Sequence, residues 1–358
     1  MLQFKSKIPH SKSKILLPLA VLFRKGVNFR DMAYARGWLK AQRLDRPVVS
    51  VGNLSVGGTG KTPLVMLIAK LLARRGCNPA ILTRGYGRRR GAQMVVLAPD
   101  AGRSPDPREV GDEPALLACA LPHVPIIVSA DRYEGGRRAE ERFSIGVHLL
   151  DDGFQHRGLA RDVDVVALDT TQELSEQALL PAGRLREPPA ALGRAHLVVL
   201  TRLELGDPRS LEREVRRINP RAEVFHATTR LCHLADVHTG RTYRPDAFQG
   251  EPVEAFCGIG NPGAFFADLR HWGFSVIGEH SFRDHHVYAG TRLKALTMLA
   301  RRSHVAALVT TEKDAMNLQP LNRGAEVPIL ACVIRTEILD QRAFEEALLA
   351  RLGVTKAM

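Results

Sequence analysis

Residues 55–62 could bind the phosphate groups of a nucleotide. They follow an apolar run, Val48–Val51, and precede a stretch of helical periodicity, Leu64–Arg75. Glycines in such a loop let backbone N–H groups converge on phosphate oxygens, while a lysine neutralises the β and γ phosphates and a threonine hydroxyl binds Mg²⁺. The flanking strand and helix predict that the phosphates lie at a helix N-terminus. The predicted phosphate-binding residues are Ser55 (where the usual pattern has glycine), Val56, Gly57, Gly58, Thr59, Gly60, Lys61 and Thr62.

Two adjacent carboxylates, Asp151 and Asp152, follow the apolar run Ile145–Leu150. A phosphate-binding loop of this kind works with an acidic metal ligand at the end of a neighbouring strand. A plain Asp-Gly turn after a strand is the alternative. Next to a loop such as 55–62, the metal-binding interpretation is favoured.

A third carboxylate, Asp112, stands in the sequence Gly-Asp-Glu-Pro at the start of a predicted helix. Its side chain could cap that helix, because aspartate is a preferred N-cap and the following proline suits the first turn. It could also accept a proton from an attacking hydroxyl group. The residue pattern leaves both roles open.

Two loops, residues 82–88 and 180–188, place arginines beside glycine or proline. Each follows a predicted strand, and open α/β sheets bind ligands outside the carboxyl ends of their strands. Solvated loop arginines are the alternative to a binding role.

Apolar runs alternate with helical stretches from Pro47 onward, which predicts a parallel sheet with helices on both faces. The predicted strands are Val48–Val51, Ala80–Thr83, Met94–Ala98, Pro125–Ala130, Ile145–Leu150, Val163–Leu168, His196–Thr201, Val253–Cys257, Phe274–Ile277, Ala306–Thr310 and Pro328–Val333. The predicted helices are Leu64–Arg75, Pro114–Ala120, Gly135–Phe143, Pro262–Trp272, Thr291–Arg301 and Arg342–Arg351.

The chain has 358 residues, which suggests two domains. A polar, turn-rich stretch with a predicted hairpin around His238–Gly240 separates the two α/β series. We therefore predict a basic N-terminal helical segment (1–46), a phosphate-binding domain (47–230), a linker hairpin (231–250) and a smaller α/β domain (251–358).

The N-terminal segment is strongly basic. The net charge of the chain is +13, and residues 1–46 hold eleven Lys and Arg against two acids. An arm of this kind seeks an anionic partner. Its apolar run, Ile15–Phe23, is too short for a bilayer span of about 20 residues but suits the membrane interface. A helix packed on the body is the alternative. Aromatic residues are only 6% of the chain, so a nucleic-acid partner is not expected.

Three further patterns suggest other chemistry. Five cysteines without a CxxC pair are typical of a reducing compartment rather than of a disulfide framework. Residues 258–263 match GxGxxG, with Glu279 downstream, as in a dinucleotide site. His280, Asp284, His285 and His286 could suggest zinc. We disfavour both sites, because the phosphate chemistry already has a place in residues 55–62 and no partner completes a metal set.

Taken together, these motifs resemble those of the tetraacyldisaccharide 4′-kinase family. The resemblance covers nearly the whole chain, in order. It rests on the basic N-terminus and on VGNLSVGGTGKTP, LTRGYGR, GDEP, LLDDGFQHR, LLPAGRLREP, CGIGNPGAFF, FRDHH and TTEKDAMNL.

The resemblance implies that ATP, with Mg²⁺, phosphorylates the 4′-hydroxyl of an acylated glucosamine disaccharide 1-phosphate in lipid A biosynthesis. It implies a P-loop domain joined to a smaller α/β domain by two strands, in an enzyme peripheral to the cytoplasmic face of the Gram-negative inner membrane. No obligate protein partner is expected.

The resemblance also implies residue roles. Asp112 would be the catalytic base, with His285 as its partner, although the adjacent His286 stays an alternative. Lys61 would act on the transferred phosphate. Thr62, Asp151, Asp152 and Glu187 would organise Mg²⁺. The substrate would contact Arg84, Tyr86, Gln155, His156 and Arg186.

Two other classes remain as alternatives. A soluble small-molecule P-loop kinase would share residues 55–62 but would need no apolar basic arm. A GTPase-like metal chaperone would share Asp151 as well, but should lack the Gly-Asp-Glu-Pro motif.

Overall fold

The structure is a computed structural model that describes residues 10–88, 93–100, 102, 105–174, 177–318 and 327–354, with side chains from Leu16 onward. Lys5 and Lys7 of the predicted basic arm lie outside the described residues, as do the side chains of Lys12, Lys14 and Ile15.

Strands and helices alternate along the described chain. The strands are β1 (Val48–Gly52), β2 (Pro79–Thr83), β3 (Val95–Leu97), β4 (Ile126–Val128), β5 (Val147–Asp151), β6 (Val163–Asp169), β7 (Leu197–Thr201), β8 (Glu223–Asp236), β9 (Thr242–Tyr243), β10 (Pro252–Cys257), β11 (Ser275–Ser281), β12 (Ala307–Thr311) and β13 (Ile329–Ile338). The helices are α1 (His10–Ala35), α2 (Lys61–Arg74), α3 (Pro107–Val110), α4 (Asp112–Ala120), α5 (Arg132–Arg142), α6 (Pro208–Ile218), α7 (Pro262–His271), α8 (Gly290–Arg302), α9 (Glu312–Ala315) and α10 (Gln341–Arg351), with a 3₁₀ turn at Pro189–Arg194.

These strands form one continuous sheet in the order β11-β10-β12-β13-β8-β7-β6-β1-β5-β2-β4-β3, with β9 paired to β8. The pairings are parallel except for β3 with β4 and for β8 with β13 and β9. The predicted α/β fold with a largely parallel sheet is therefore confirmed, and the prediction that residues 94–98 join it as a parallel strand is wrong. A short strand at the edge has only one neighbour, so its direction is not dictated by a helical crossover.

The long strand β8 connects the two α/β series. Its first residues pair in parallel with β7, and its remaining residues pair antiparallel with β13. A tight turn then leads into β9, because Asp236 Oδ1 accepts hydrogen bonds from the backbone N–H groups of His238 (2.9 Å) and Thr239 (2.8 Å). This confirms the hairpin predicted around His238–Gly240.

The phosphate-binding loop starts at the centre of the sheet. Every residue of β1 is buried: Val49 and Val51 pack in one cluster with α2, and Val48 packs in another with Ala139 of α5. Helix α2 follows the loop and turns Leu64, Val65 and Ile68, which are fully buried, toward the sheet. Burial of each such side chain contributes about 1.5–3 kcal/mol. The loop is thus held between a rigid strand and a rigid helix.

Helix α1 is attached at its C-terminal part. Arg30 forms an ion pair with the buried Glu187, and Asp31 pairs with Arg157 at 3.2 Å. Earlier turns expose large apolar side chains, namely Leu17, Leu19, Val21 and Leu22. In the described part of the chain, no helix has the length and apolar character needed to cross a membrane.

Candidate active site

The loop of residues 53–60 is shaped for phosphate. Gly57 (φ 113°) and Gly60 (φ 78°) adopt positive φ values that favour glycine. Asn53, which is fully buried, donates to Thr59 Oγ1 (2.9 Å) and accepts from Lys61 Nζ (3.0 Å). Asn53, which was not predicted as a site residue, fixes both the loop and its lysine.

The two carboxylates at the end of β5 differ in charge state. Asp151 accepts a hydrogen bond from Thr83 Oγ1 (3.0 Å), and burial, followed by the charges of Glu113 and Asp152, raises its pKa to about 7. Asp152 lies 3.3 Å from Lys61 Nζ and 2.6 Å from Arg186 Nη1. Although burial opposes ionisation, these two cations lower the pKa of Asp152 to about 2.

This arrangement fits a divalent cation. Burial, and after it the charges of Glu113 and Asp152, oppose the ionisation of Asp151, so a cation beside it would stabilise the charged form. Thr62 lies in the first turn of α2 and lines the same cleft. Mg²⁺ keeps water and substrate phosphate among its ligands, so few protein ligands suffice.

Glu187, the fourth predicted metal ligand, lies outside the lining of this cleft. Its side chain is fully buried, one carboxylate oxygen pairs with Arg30 of α1, and the other lies 2.7 Å from Arg194 Nη2. Glu187 is not among the residues that line the cleft with Thr62 and Asp151.

Asp112 and His285 meet across the cleft. His285 Nδ1 lies 3.0 Å from Oδ1 and 2.9 Å from Oδ2 of the aspartate. Asp112 is 4% exposed, whereas the side chain of His285 is 29% exposed and lines the cleft. The hydrogen bond with Asp112 raises the pKa of His285. Burial opposes ionisation of Asp112, but the hydrogen bond with His285 and the charge of Lys313 lower its pKa.

The neighbouring histidines do not join this pair. His286 stacks on Phe282 with ring centroids 4.8 Å apart, and His280 Nε2 lies 3.1 Å from Glu254 Oε2. Across the described ranges, no group of three His, Cys, Asp or Glu side chains could hold a metal ion. The structure thus selects His285 over His286 as the partner of Asp112.

The cleft has a volume of ≈ 210 Å³. One side is formed by the start of α2 and the end of β5, and the other by the loops after β10, β11 and β12. Its polar lining includes Lys61, Thr62, Asp151, Asp152, Arg186, Arg202, His285 and Lys313. Phosphate-binding and proton-accepting groups therefore share one space.

Of the five predicted substrate contacts, Tyr86 and Arg186 line this cleft. Arg84 Nη1 donates to Tyr86 Oη (2.9 Å), and Tyr86 lines the cleft. Gln155 donates to the backbone carbonyl of Asn53 (2.8 Å). Burial and nearby arginines lower the pKa of His156 to about 4, so this side chain is neutral at pH 7. Arg186 donates a hydrogen bond to Asp152.

Glycines bring the GxGxxG loop directly onto the phosphate loop. Arg184 Nη2 donates to the carbonyls of Val56 (3.0 Å) and Gly260 (2.7 Å). A Cβ atom on Gly260 would lie 2.4 Å from Gly57 Cα. Residues 258–263 therefore close the cleft over the P-loop, and their glycines permit this contact.

Replacement of Gly260 by alanine is expected to lower kcat by about tenfold or more, because the added methyl group would push the two loops apart. Misplacement by about 1 Å can cost about 100-fold in rate. Gly263→Ala is the matched control, since a Cβ atom there meets nothing within 4 Å. Equal turnover of the two variants would contradict a role for loop contact in catalysis.

A buried arginine after β7 gives a second link. Arg202 donates to the carbonyl of Gly58 (3.2 Å), pairs with Asp169 (2.7 Å) and lies 3.4 Å from Asp268 of α7. Arg202 was not predicted as a site residue, although its place directly after a predicted strand was a usable signal.

A phosphate loop that opens onto a cleft with a proton-accepting pair defines the class of protein: a P-loop enzyme of phosphoryl transfer. The profile of the Tetraacyldisaccharide-1-P 4'-kinase (LpxK) family matches residues 12–353. The chain therefore belongs to the tetraacyldisaccharide-1-P 4'-kinase family.

Individual relatives agree with this membership. The tetraacyldisaccharide 4'-kinase of Koribacter versatilis is 43% identical over 332 residues, which cover 91% of this chain and 95% of the relative. That of Geobacter metallireducens is 36% identical over 341 residues, with 93% and 96% covered. The crystal structure of LpxK from Aquifex aeolicus in complex with ATP matches with a TM-score of 0.72 at 32% identity, covering 95% of this chain and 99% of that one.

These relationships confirm the predicted family, the P-loop fold class and the ATP-dependent kinase activity. The chain is a phosphotransferase that acts on a lipid A precursor.

Proposed function

We propose that the cleft between the P-loop and the His285 loop is where this kinase moves the γ-phosphoryl group of ATP onto the 4′-hydroxyl of tetraacyldisaccharide 1-phosphate. One observation carries the proposal: Lys61 and His285 line the same cleft from opposite sides, and Nδ1 of His285 bonds Asp112. Phosphoryl transfer depends mostly on positioning and charge neutralisation, which this arrangement supplies.

We assign the proton acceptor to His285 rather than to Asp112. Both oxygens of Asp112 already accept hydrogen bonds, from His285, Glu113 N (2.9 Å) and Asn317 Nδ2 (3.2 Å). With Nδ1 of His285 on Asp112, Nε2 is the ring nitrogen left to take a proton. This reverses the roles implied by the sequence resemblance: Asp112 orients the imidazole and stabilises its charged form.

In the proposed step, the O–H bond of the 4′-hydroxyl breaks and its proton passes to Nε2 of His285. The oxygen electron pair forms a bond to the γ-phosphorus, and the bond from that phosphorus to the β–γ bridging oxygen breaks, leaving ADP. Lys61 neutralises charge on the transferred group. Thr62 and Asp151 would hold Mg²⁺, with Asp152 beside them, and the ion would supply further charge neutralisation.

The substrate chemistry favours work at a membrane surface. An acylated disaccharide stays in the bilayer, so the enzyme must reach it there. The apolar side chains that α1 exposes, together with the basic residues of the N-terminal segment, fit an anionic interface. We propose peripheral attachment to the cytoplasmic face of the Gram-negative inner membrane.

Deletion of residues 1–25 is expected to weaken liposome binding more than ATP binding. Each basic residue near an anionic surface contributes about 1 kcal/mol, and salt should reduce that part. Flotation with anionic liposomes and nucleotide titration measure the two effects. Leu22→Glu tests the apolar part, and Met298→Glu on α8 is its control, since the two side chains are 66% and 64% exposed. Equal flotation of the truncated and full chains would make α1 a purely structural helix.

We also propose that residues 47–230 and 251–358 act as two domains. Strands β8 and β13 join them, and α10, which follows β13, packs on the core of the first through Phe344 and Leu348. Opening and closing about these strands would move His285 relative to Asp112, as hinge motions do in other enzymes.

The direct test is ³²P transfer from ATP to the purified lipid disaccharide, with a soluble sugar alcohol as competing acceptor. Transfer to the lipid but not to the soluble acceptor is expected. Transfer only to the soluble acceptor would favour the small-molecule kinase. Nucleotide hydrolysis without transfer to either would favour a GTPase-like metal chaperone.

A further inference from the structure

Residues 311–317, Thr-Glu-Lys-Asp-Ala-Met-Asn, are not explained by nucleotide binding. They run from the end of β12 through α9. We call them the 311–317 segment. Lys313 lines the cleft, and Asp314 is 1% exposed.

One side of this segment holds Asp112. Asn317 Nδ2 donates to Asp112 Oδ2 at 3.2 Å. Lys313 Nζ lies 3.9 Å from the same oxygen, 3.1 Å from Glu113 Oε1 and 3.2 Å from Asp284 Oδ1. An ammonium group shared by three carboxylates restrains all of them. Two side chains of this segment therefore restrain Asp112, in addition to His285 and Glu113 N.

The other side holds the loop that carries His285. Asp314 Oδ1 accepts from Gly258 N (2.8 Å) and from the buried Tyr288 hydroxyl (2.8 Å). The carbonyl of Gly258 in turn accepts from His285 N (3.1 Å). Asp314 is thus linked to the His285 loop in two ways: through Gly258, which bonds the backbone of His285, and through the side chain of Tyr288, three residues after the histidine.

His285 needs such support. Its φ of 59° is uncommon for a residue with a side chain, and conformations of this kind persist only where the surroundings hold them. The loop directs Nδ1 toward Asp112, so a relaxed loop would separate the pair.

We propose that the 311–317 segment aligns both members of the Asp112–His285 pair: Asn317 and Lys313 are positioning residues for Asp112, and Asp314 is the positioning residue for the His285 loop. The proposal rests on the proposed function. Alignment errors of about 1 Å at a reacting pair can cost about 100-fold in rate, so loss of one contact should affect kcat.

The first test replaces Asn317. Asn317→Ala removes the donor, and Asn317→Asp keeps the shape but puts a carboxylate against Asp112. We expect kcat to fall about tenfold in the alanine variant and further in the aspartate variant, with the KM for ATP within about twofold of the wild type. If Asn317 only fills space, the isosteric aspartate variant should be the more active of the two, and that order would overturn the proposal.

Lys313 gives an independent measurement. Lys313→Met should lower kcat by more than tenfold, and Lys313→Arg should recover part of it, because a cation is restored. Lys294→Met, at an exposed position of α8, is the control and should match the wild type. Wild-type kcat in both Lys313→Met and Asn317→Ala would refute the alignment role.

Thermal melts distinguish a variant that misfolds from one that is folded but misaligned. If Asn317→Asp has a lowered melting temperature, the kcat values of Lys313→Met and Lys313→Arg test the proposal instead. Failure of the proposed function would look different, because the wild type itself would then not phosphorylate the lipid.

Discussion

Lys61→Ala should lower kcat by at least about 100-fold while the protein stays folded. The ammonium group sits at the first residue of α2 and is restrained by Asn53 (3.0 Å) and Asp152 (3.3 Å). A cation held where negative charge develops stabilises the transition state more than the bound substrate. Removal of one such group typically lowers the rate by about 10²–10³. The measurement is steady-state ³²P transfer at saturating lipid.

Lys70→Ala is the matched control for this experiment, since Lys70 is an exposed lysine on the same helix. Thr62→Ala should also lower kcat, and a raised Mg²⁺ requirement would connect that loss to the hydroxyl ligand. Near-wild-type turnover of Lys61→Ala with unchanged circular dichroism would remove the P-loop from the mechanism.

The phosphate site was predictable from sequence because its signals are local. Residues 55–62 are contiguous, and Asp151 and Asp152 follow a readable apolar strand. Val51, near the end of β1, pairs in parallel register with Asp151, and this pairing brings the phosphate-binding loop and the two carboxylates together.

Features that depend on contacts between residues distant in sequence were harder to predict. Residues 223–230 belong to β8 but were not predicted as strand, because their buried and exposed side chains alternate instead of forming an apolar run. Asn53, Arg202 and Asn317 gained roles only through partners remote in sequence. For Glu187, by contrast, distant contacts argue against the role that its motif implied. Its motif implied a metal ligand, but two arginines, one from α1, occupy its oxygens.

The assignment of the base also required tertiary structure. Sequence indicates that Asp112 and His285 act together, but not which of them faces the substrate. Burial decides this point. The aspartate lies behind the histidine with its oxygens occupied, and the imidazole lines the cleft.

The pH dependence of kcat should identify the base. A neutral imidazole accepts a proton, whereas a protonated one cannot. Because the pKa of His285 is raised above its ordinary 6.5, activity should fall as the pH drops through that raised value, giving an acid limb above pH 6.5. If Asp112 were the base, its pKa, lowered from 3.8, would leave kcat flat between about pH 5 and 8 on the acid side.

Variants of the pair sharpen the test. Asp112→Asn keeps an oxygen that can accept from Glu113 N, so the start of α4 should survive. It removes the charge that favours imidazolium, so the acid limb should move to lower pH while the plateau of kcat falls by at least about 100-fold. His285→Ala should cost about 10²–10⁴-fold and abolish the limb.

The double variant should lose less than the product of the two single losses, since residues that act as a unit are non-additive. ATP affinity should hold in all three variants, because neither side chain belongs to the P-loop. An acid limb unchanged in Asp112→Asn would show that the carboxylate does not tune His285. A wild-type profile flat between about pH 5 and 8 on the acid side would return the role of base to Asp112.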